Sequence, residues 1–189
     1  MKALGMAPLA QGGARLIPGD APLERAERRR LPRVVVRAPL PGHVLGATKA
    51  EVEELLRALG PEAHYGLRSI ELGESAPARS LVLGRFEAPG RIRLFGVPRP
   101  PWRLGAQAPE AEQLLAAGAR LARGERGGLL LEWPGSTLRD FVLRHVLLHE
   151  IGHHFLQHHA GKRLVPAART RDHEAFAERF ARRARERLG

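Results

Sequence analysis

The stretch that decides the fold lies near the C-terminus, at residues 147–155, and reads Leu-Leu-His-Glu-Ile-Gly-His-His-Phe. It contains the pattern His-Glu-x-x-His at His149, Glu150 and His153, set in an otherwise apolar run. Residues four apart share a face of a helix, so both imidazoles point in one direction, at the spacing that a zinc ion requires. Glu150, next to the first histidine, is placed to act as a general base. The pattern therefore predicts one Zn²⁺ ion and a hydrolytic reaction.

The residues around this pattern predict one long, buried helix. A Pro-Gly pair at residues 134–135 interrupts the chain, and Thr137 followed by Asp140 is typical of a helix start. Gly161 offers a C-terminal stop, so we expect an unbroken helix as far as His159. Apolar side chains cover much of the remaining circumference, namely Leu147, Leu148, Ile151 and Phe155. A helix that is apolar nearly all round is a buried one, which suits a rigid metal site.

Length and composition indicate a single globular domain. The chain has 189 residues, of which 43% are hydrophobic and 27% charged, so it can bury a core and lies close to globular averages. Because it has no cysteine, any zinc must be held by histidine and carboxylate. No run of about eighteen apolar residues occurs, so we expect a cytoplasmic protein without a membrane span.

The formal net charge of +11 raises the question of a nucleic-acid partner. Only Lys2, Lys49 and Lys162 are lysines, so arginine supplies nearly all of the positive charge. Together with abundant alanine, glycine, proline and leucine, this is typical of a general compositional bias. The charge therefore favours a solvated basic surface, and nucleic acid stays an open alternative partner.

The rest of the chain alternates short strands and helices. Residues 1–32, rich in glycine, proline and arginine, predict a flexible basic arm ahead of one domain at residues 33–189. A helix should run from a cap at Thr48, with Glu51 completing a capping box, to Leu59. Strands are predicted at residues 33–37, 68–72, 80–87, 91–97 and 129–133, and a further helix at residues 109–123. An Ala-Pro-Gly turn signal between the third and fourth strands predicts a hairpin.

A zinc ion that keeps one position open for water needs a third protein ligand, and three residues compete for that role. His159 fails, because an unbroken helix rotates it about 240° away from His153. Glu174 lies on the next predicted helix, with Glu178 four residues later on the same face. His173 would point about 100° away from Glu174, so we do not expect the two residues to bind the same ion. We favour Glu174 as the ligand and Glu178 as the residue that holds a ligand histidine through its free ring nitrogen; an ordinary surface face of glutamate and arginine is the alternative.

Three further side chains are candidates for supporting roles. His145 lies one turn before His149, where a packed or supporting residue is more common than a ligand. An oxyanion would need a hydrogen-bond donor besides the metal, and Tyr65 and His173 are the candidates.

These residues carry a resemblance to a known family. Residues 148–155 look like the active-site helix of zincin metallopeptidases, and residues 174–178 are similar to the downstream glutamate helix of the gluzincin branch. Among small intracellular versions, residues 137–181 most resemble the minimal gluzincins and the ImmA/IrrE-type peptidases. In the latter type the glutamate also precedes an alanine, and a Phe-Ala pair follows shortly after, as Phe180 and Ala181 do here.

The resemblance implies a fold. It is a small α+β, zincin-like domain, in which a mixed, mostly antiparallel sheet packs on the central His-Glu-x-x-His helix and on a C-terminal glutamate-bearing helix. It also implies that an extended substrate pairs with an edge strand of this sheet. Our candidate edge strand is formed by Arg91, Ile92, Arg93, Leu94 and Phe95.

The expected function is zinc-dependent hydrolysis of peptide bonds in a protein or peptide substrate. Zinc on His149, His153 and Glu174 would activate a water molecule, and Glu150 would take its proton and deliver it to the leaving amine. The alternative is a zinc-stabilised regulatory or nucleic-acid-binding protein without turnover, which the basic arm and the arginine-rich C-terminal helix motivate. A protease recruited to DNA would combine the two.

Overall fold

A computed structural model describes residues 30–74, 82–103, 111–124, 128–159 and 171–189. The predicted arm, apart from residues 30–32, lies outside these ranges. Six α-helices and nine strands are described: β1 (Arg33–Val36), β2 (His43–Val44), α1 (Lys49–Leu59), α2 (Pro61–His64), β3 (Ser69–Glu74), β4 (Gly84–Glu87), β5 (Arg91–Phe95), β6 (Val97–Pro98), β7 (Trp102–Arg103), α3 (Ala111–Ala116), β8 (Arg120–Arg123), β9 (Leu129–Glu132), α4 (Thr137–Phe141), α5 (Leu148–His159) and α6 (Arg171–Leu188). The prediction of an α+β fold is confirmed. Among the described helices, none has the length and apolar character needed to cross a membrane.

The largest sheet has four strands in the order β1-β3-β5-β4. β1 pairs in parallel with β3, and β3 pairs in parallel with β5, whereas β4 and β5 form an antiparallel hairpin. The predicted hairpin is therefore confirmed. The expectation of a mostly antiparallel sheet is wrong for this sheet, because two of its three pairings are parallel. Two smaller sheets, β2-β6 and β7-β9-β8, are antiparallel.

The candidate edge strand is not at an edge. Arg91, Ile92, Arg93, Leu94 and Phe95 form β5, which has β3 on one side and β4 on the other. Within the described residues the outer strand at this end of the sheet is β4. Polar and apolar residues alternate along a half-buried strand. This alternation predicts which face of the strand is buried, but not whether the strand is paired on one side or on both.

Local signals predict α1 correctly and α3 only in part. The Thr48 side chain accepts a hydrogen bond from the Glu51 backbone N–H, and the Glu51 carboxylate accepts one from the Thr48 N–H, which completes the predicted capping box. The helix predicted at residues 109–123 ends at Ala116, and its last four residues form β8 instead. Gly118, with a φ of 99°, takes a left-handed conformation that closes the helix early.

The long helix with the His-Glu-x-x-His pattern has three parts. α4 is followed by a π-helical turn, Val142–Leu147, which leads directly into α5. Thr137 is the first residue of α4 rather than its cap, because its hydroxyl donates to the Pro134 carbonyl at 2.8 Å. The prediction of an uninterrupted α-helix is wrong for the π turn, which places an extra residue in the helical turn just before the histidines.

α5 lies across the core against α6 and β4. Leu147, Leu148 and Ile151 are fully buried and belong to one hydrophobic core with residues of the large sheet, such as Ile70 and Ile92. The predicted cap of α6, Thr170, lies outside the described residues. The core therefore fixes α5 between the sheet and the C-terminal helix.

Candidate metal centre

Three side chains from α5 and α6 converge on one point. The Nε2 atoms of His149 and His153 lie 3.1 Å apart. The Oε2 atom of Glu174 lies 3.2 Å from Nε2 of His149 and 3.4 Å from Nε2 of His153. These residues are the group of histidine and carboxylate side chains, within the described residues, that could hold a metal ion. We refer to them as the triad.

The size of this triangle fits a tetrahedral metal ion. Bonds of about 2.0–2.1 Å to nitrogen and oxygen ligands place neighbouring ligand atoms of a tetrahedron about 3.3 Å apart. The three measured separations, 3.1, 3.2 and 3.4 Å, are those that a single ion such as Zn²⁺ needs. Two imidazoles and one carboxylate also form a donor set that leaves a fourth position for water or substrate.

Burial is uneven around the triad. The side chain of His153 is only 5% exposed, whereas that of His149 is 24% exposed and that of Glu174 is 45% exposed. Ligands on the buried side are held by the core, and the site opens towards solvent beside Glu174. Solvent therefore has access to the triad from the α6 side.

Gly152 allows α5 and α6 to approach closely enough for the triad to form. A Cβ atom at this position would lie 2.8 Å from the Ala177 Cα and 3.2 Å from the Phe180 Cβ. The facing residues on α6 include Ala177 and Ala181, which are small and fully buried. Because small residues line both sides of this crossing, Glu174 in the first turn of α6 reaches the two histidines.

Glu178 lies on the other side of His149. Its Oε2 atom is 3.6 Å from the Nδ1 of His149, which is beyond a good hydrogen bond but close enough for electrostatic attraction. Its Oε1 atom accepts a hydrogen bond from Arg185 at 3.3 Å, and Arg185 also donates to the Arg144 carbonyl at 3.2 Å. This arrangement is consistent with the expectation that Glu178 orients the ring of His149 while Nε2 binds the metal.

Glu150 is buried, at 4% exposure, and lies beside the outer strand of the sheet. Its Oε2 atom accepts a hydrogen bond of 2.7 Å from the backbone N–H of Phe86 in β4. A Cβ atom at Gly84 would lie 3.1 Å from the Cγ of Glu150 and 2.7 Å from a methyl group of Val146, so glycine permits this close approach. β4 therefore holds the Glu150 carboxylate in place next to its histidine neighbour.

The other predicted site residues are not part of the triad. His145 packs its ring against Phe141, with 5.7 Å between centroids. Burial and the nearby charge of Arg185 lower the pKa of His145, and the charge of Glu178 opposes this shift. Tyr65 contacts His158 edge-on at 5.0 Å, and its carbonyl accepts a hydrogen bond from His154.

Other histidines on α5 and α6 lie outside the triad. His154 is only 1% exposed, because the Tyr65 carbonyl and the Phe86 ring lie against it. His173 directly precedes Glu174 on α6 and is not a member of the triad. α5 runs unbroken to His159, as the rejection of this residue as a ligand required.

Sequence reasoning missed the contributions of Phe86, Gly84 and Arg185. Phe86 acts through its backbone N–H, and no side-chain pattern marks such a role. Arg185 stands seven residues after Glu178, which is two helical turns and therefore on the same face. That spacing is a signal that could have identified Arg185.

A scan against protein-family models and searches of curated proteins and of solved structures found no match to this chain. The likeness to zincins rests on the triad, Glu150 and their spacing.

Proposed function

We propose that this chain is a zinc-dependent metallopeptidase that hydrolyses peptide bonds in a protein or peptide substrate. The observation that supports this proposal most strongly is the triangle of His149, His153 and Glu174, with separations of 3.1–3.4 Å, beside a buried glutamate. A purely structural zinc site is usually closed by four protein ligands, whereas a catalytic site has three and an open position. The triad has three ligands and opens to solvent at Glu174.

In this proposal the chemistry is divided between the metal and Glu150. The triad would hold a zinc ion, and the chemistry that such an ion would supply is that of a Lewis acid, which lowers the pKa of a bound water molecule and polarises a carbonyl. Glu150 accepts the proton of the attacking water and delivers it to the amine of the leaving group. The Phe86 N–H, which donates to Oε2 of Glu150, would orient the carboxylate for both transfers.

β4 is our revised candidate for the strand that aligns the substrate. It is the outer strand of the described sheet, and it passes directly beside Glu150. In an antiparallel pair, alternate residues direct their backbone groups towards the partner strand and away from it. Since Phe86 directs its N–H away from β5, Gly84 directs its backbone groups to the same side of β4, where an extended peptide could pair with them.

The decisive experiment compares wild type with Glu150→Gln. Both proteins are loaded with zinc, their zinc content is measured by mass spectrometry, and both are incubated with a diverse peptide library whose cleavage products are sequenced. We expect equal zinc content and at least about a hundredfold loss of cleavage in the variant, because general-base catalysis contributes about 10²–10⁴ to the rate. Glu186→Gln, an exposed glutamate on α6, is the matched control and should retain full cleavage.

Two outcomes would contradict the proposal. Equal zinc-dependent cleavage by wild type and Glu150→Gln would remove Glu150 from the mechanism. Stoichiometric zinc binding without cleavage of any library peptide would instead support the alternative, a zinc-stabilised regulatory or nucleic-acid-binding protein. A salt-titrated DNA-binding measurement would then separate these two remaining classes.

A further inference from the structure

A second concave site lies on the opposite side of the α5–α6 pair from the triad. It is a cleft of about 620 Å³ between α6, the end of α5, and the segment where α1 passes into α2. On α6, Phe176 lies about 200° around the helix from Glu174, so the cleft and the metal centre use different faces. The cleft is within the range of about 300–1,000 Å³ that small-molecule sites occupy.

The floor of this cleft is aromatic. Phe155 of α5 stacks on Phe176 at 6.4 Å between ring centroids and contacts Phe180 at 5.4 Å. All three rings line the cleft, and each is only partly buried by the protein. Three adjacent rings that stay partly exposed offer an apolar body a contact surface without a change of the fold.

The charged residues that line the cleft are three arginines on one wall and a single carboxylate, Glu62. The arginines are Arg179, Arg183 and Arg187, and their spacing of four residues places them in a row about 6 Å apart along α6. Arg187 donates to the Leu59 carbonyl at 2.6 Å and so fixes this wall to the end of α1. Arg179 and Arg183 are exposed, and no ion pair is recorded for them within the described residues.

Other arginines of α6 differ from Arg179 and Arg183 because they form ion pairs. Arg182 lies 4.0 Å from the carboxylate of Glu186, and Arg185 lies 3.3 Å from that of Glu178. Two of the arginines that lie outside the cleft, Arg182 and Arg185, therefore have carboxylate partners on their own helix. The two that flank the aromatic floor do not, and their guanidinium groups can bind an external anion by charge-assisted hydrogen bonds.

We infer that this cleft binds an amphipathic anion, a small molecule with an apolar chain or ring system and one carboxylate or phosphate head group. The apolar part would lie on Phe155, Phe176 and Phe180, and the head group would contact Arg179 and Arg183. Charge disfavours the occupants that this chain could itself supply. Residues 1–29 carry five basic and three acidic residues, residues 160–170 carry three basic and none acidic, and a second copy brings a net charge of +11.

The test uses full-length protein and calorimetric titration with dodecanoate, kept below the concentration at which it forms micelles. The key variant is Arg179→Gln with Arg183→Gln, and the matched control is Arg171→Gln with Arg182→Gln. The control removes the same charge from exposed positions of the same helix outside the cleft. We expect the cleft variant to bind dodecanoate at least about tenfold more weakly than wild type, and the control to stay within about twofold.

Three results would overturn the inference. The first is that dodecanoate binding weakens equally in the cleft variant and in the control, and the second is that wild type binds the cation dodecyltrimethylammonium as strongly as dodecanoate. The third is that wild type binds an acidic phenylalanine-containing peptide but not dodecanoate. Circular dichroism verifies that both variants are folded. Because the cleft shares no residue with the triad, Glu174→Ala should leave dodecanoate binding unchanged. The inference and the proposed peptidase activity can therefore fail separately.

Discussion

At the scale of single residues, the identity of the proposed third metal ligand depends on where each side chain of the first turns of α6 points. Glu174 places a carboxylate oxygen within 3.4 Å of both histidine nitrogens. Glu178, one turn later, lies instead against the opposite nitrogen of His149. The spacing of four residues predicted that Glu174 and Glu178 share a face of the helix. Which of the two carboxylates reaches the Nε2 atoms of the histidines depends on how α6 crosses α5.

This difference predicts a graded effect on zinc affinity, measured by competition with a chelating dye. Glu174→Ala should lower the affinity by more than about a hundredfold, because it removes a ligand. Glu178→Ala should lower it by about 10–100-fold, because it removes only the group that orients His149. His173→Ala is the neighbouring control and should change the affinity by less than about twofold. A larger loss in His173→Ala than in Glu174→Ala would assign the third ligand to His173.

At the scale of elements, the close crossing of α5 and α6 sets the geometry of the triad. The sequence marks this crossing only by Gly152 and by the small residues Ala177 and Ala181. In isolation a glycine within a helix lowers helix stability by about 1 kcal/mol relative to alanine, so its presence in α5 needs a packing reason. That reason is the Ala177 backbone, which approaches the Gly152 position too closely for a side chain.

Gly152→Ala should therefore destabilise the fold and weaken zinc binding together. The added methyl group would meet the Ala177 Cα at 2.8 Å and its carbonyl oxygen at 3.0 Å, so α6 must shift and Glu174 with it. We expect a net loss of about 1–2 kcal/mol in the free energy of unfolding, measured with urea, because overpacking exceeds the gain in helix propensity. Zinc affinity should fall in the same variant.

Gly128→Ala is the control for this prediction, since among the described residues, chain neighbours aside, no heavy atom lies within 4 Å of the added carbon. It should leave both stability and zinc affinity nearly unchanged. If Gly152→Ala raised the stability, as helix propensity alone predicts, and left zinc affinity intact, the close crossing would not be required for the triad.

Elements that depend on local signals could be predicted from the sequence, and those that depend on distant pairing could not. The capping box of α1 is formed by residues three apart and was predicted correctly. The position of β5 between β3 and β4 depends on a parallel partner more than twenty residues away, which no local pattern specifies. The two histidines and Glu150 were identifiable because their chemistry depends on spacing along one helix.

At the scale of the whole molecule, α6 connects two surfaces. Its Glu174 belongs to the triad and its Glu178 lies beside His149. Its buried alanines lie at the crossing with α5, and its two phenylalanines and three of its arginines line the cleft. Behind these helices, α2 packs on α5, and the Tyr65 carbonyl that follows α2 accepts a hydrogen bond from His154. His64 of α2 is only 4% exposed. A buried histidine in this layer makes the stability of the fold depend on pH.

Burial lowers the pKa of His64 below its usual value of 6.5, because the protein interior disfavours the charged imidazole. Below pH 6.5 the unfolded chain therefore binds a proton that the folded protein excludes, and stability should fall as the pH drops through this range. Above pH 6.5 both states are neutral at His64, and the residue contributes no pH dependence.

We predict that His64→Leu, which cannot be protonated, loses less stability than wild type between about pH 7.5 and pH 5, as measured by urea unfolding in the presence of a chelator. His145, whose pKa burial also lowers, should account for part of the dependence that remains in the variant. If the free energies of unfolding of wild type and His64→Leu changed in parallel over this pH range, His64 would not contribute to the pH dependence of stability.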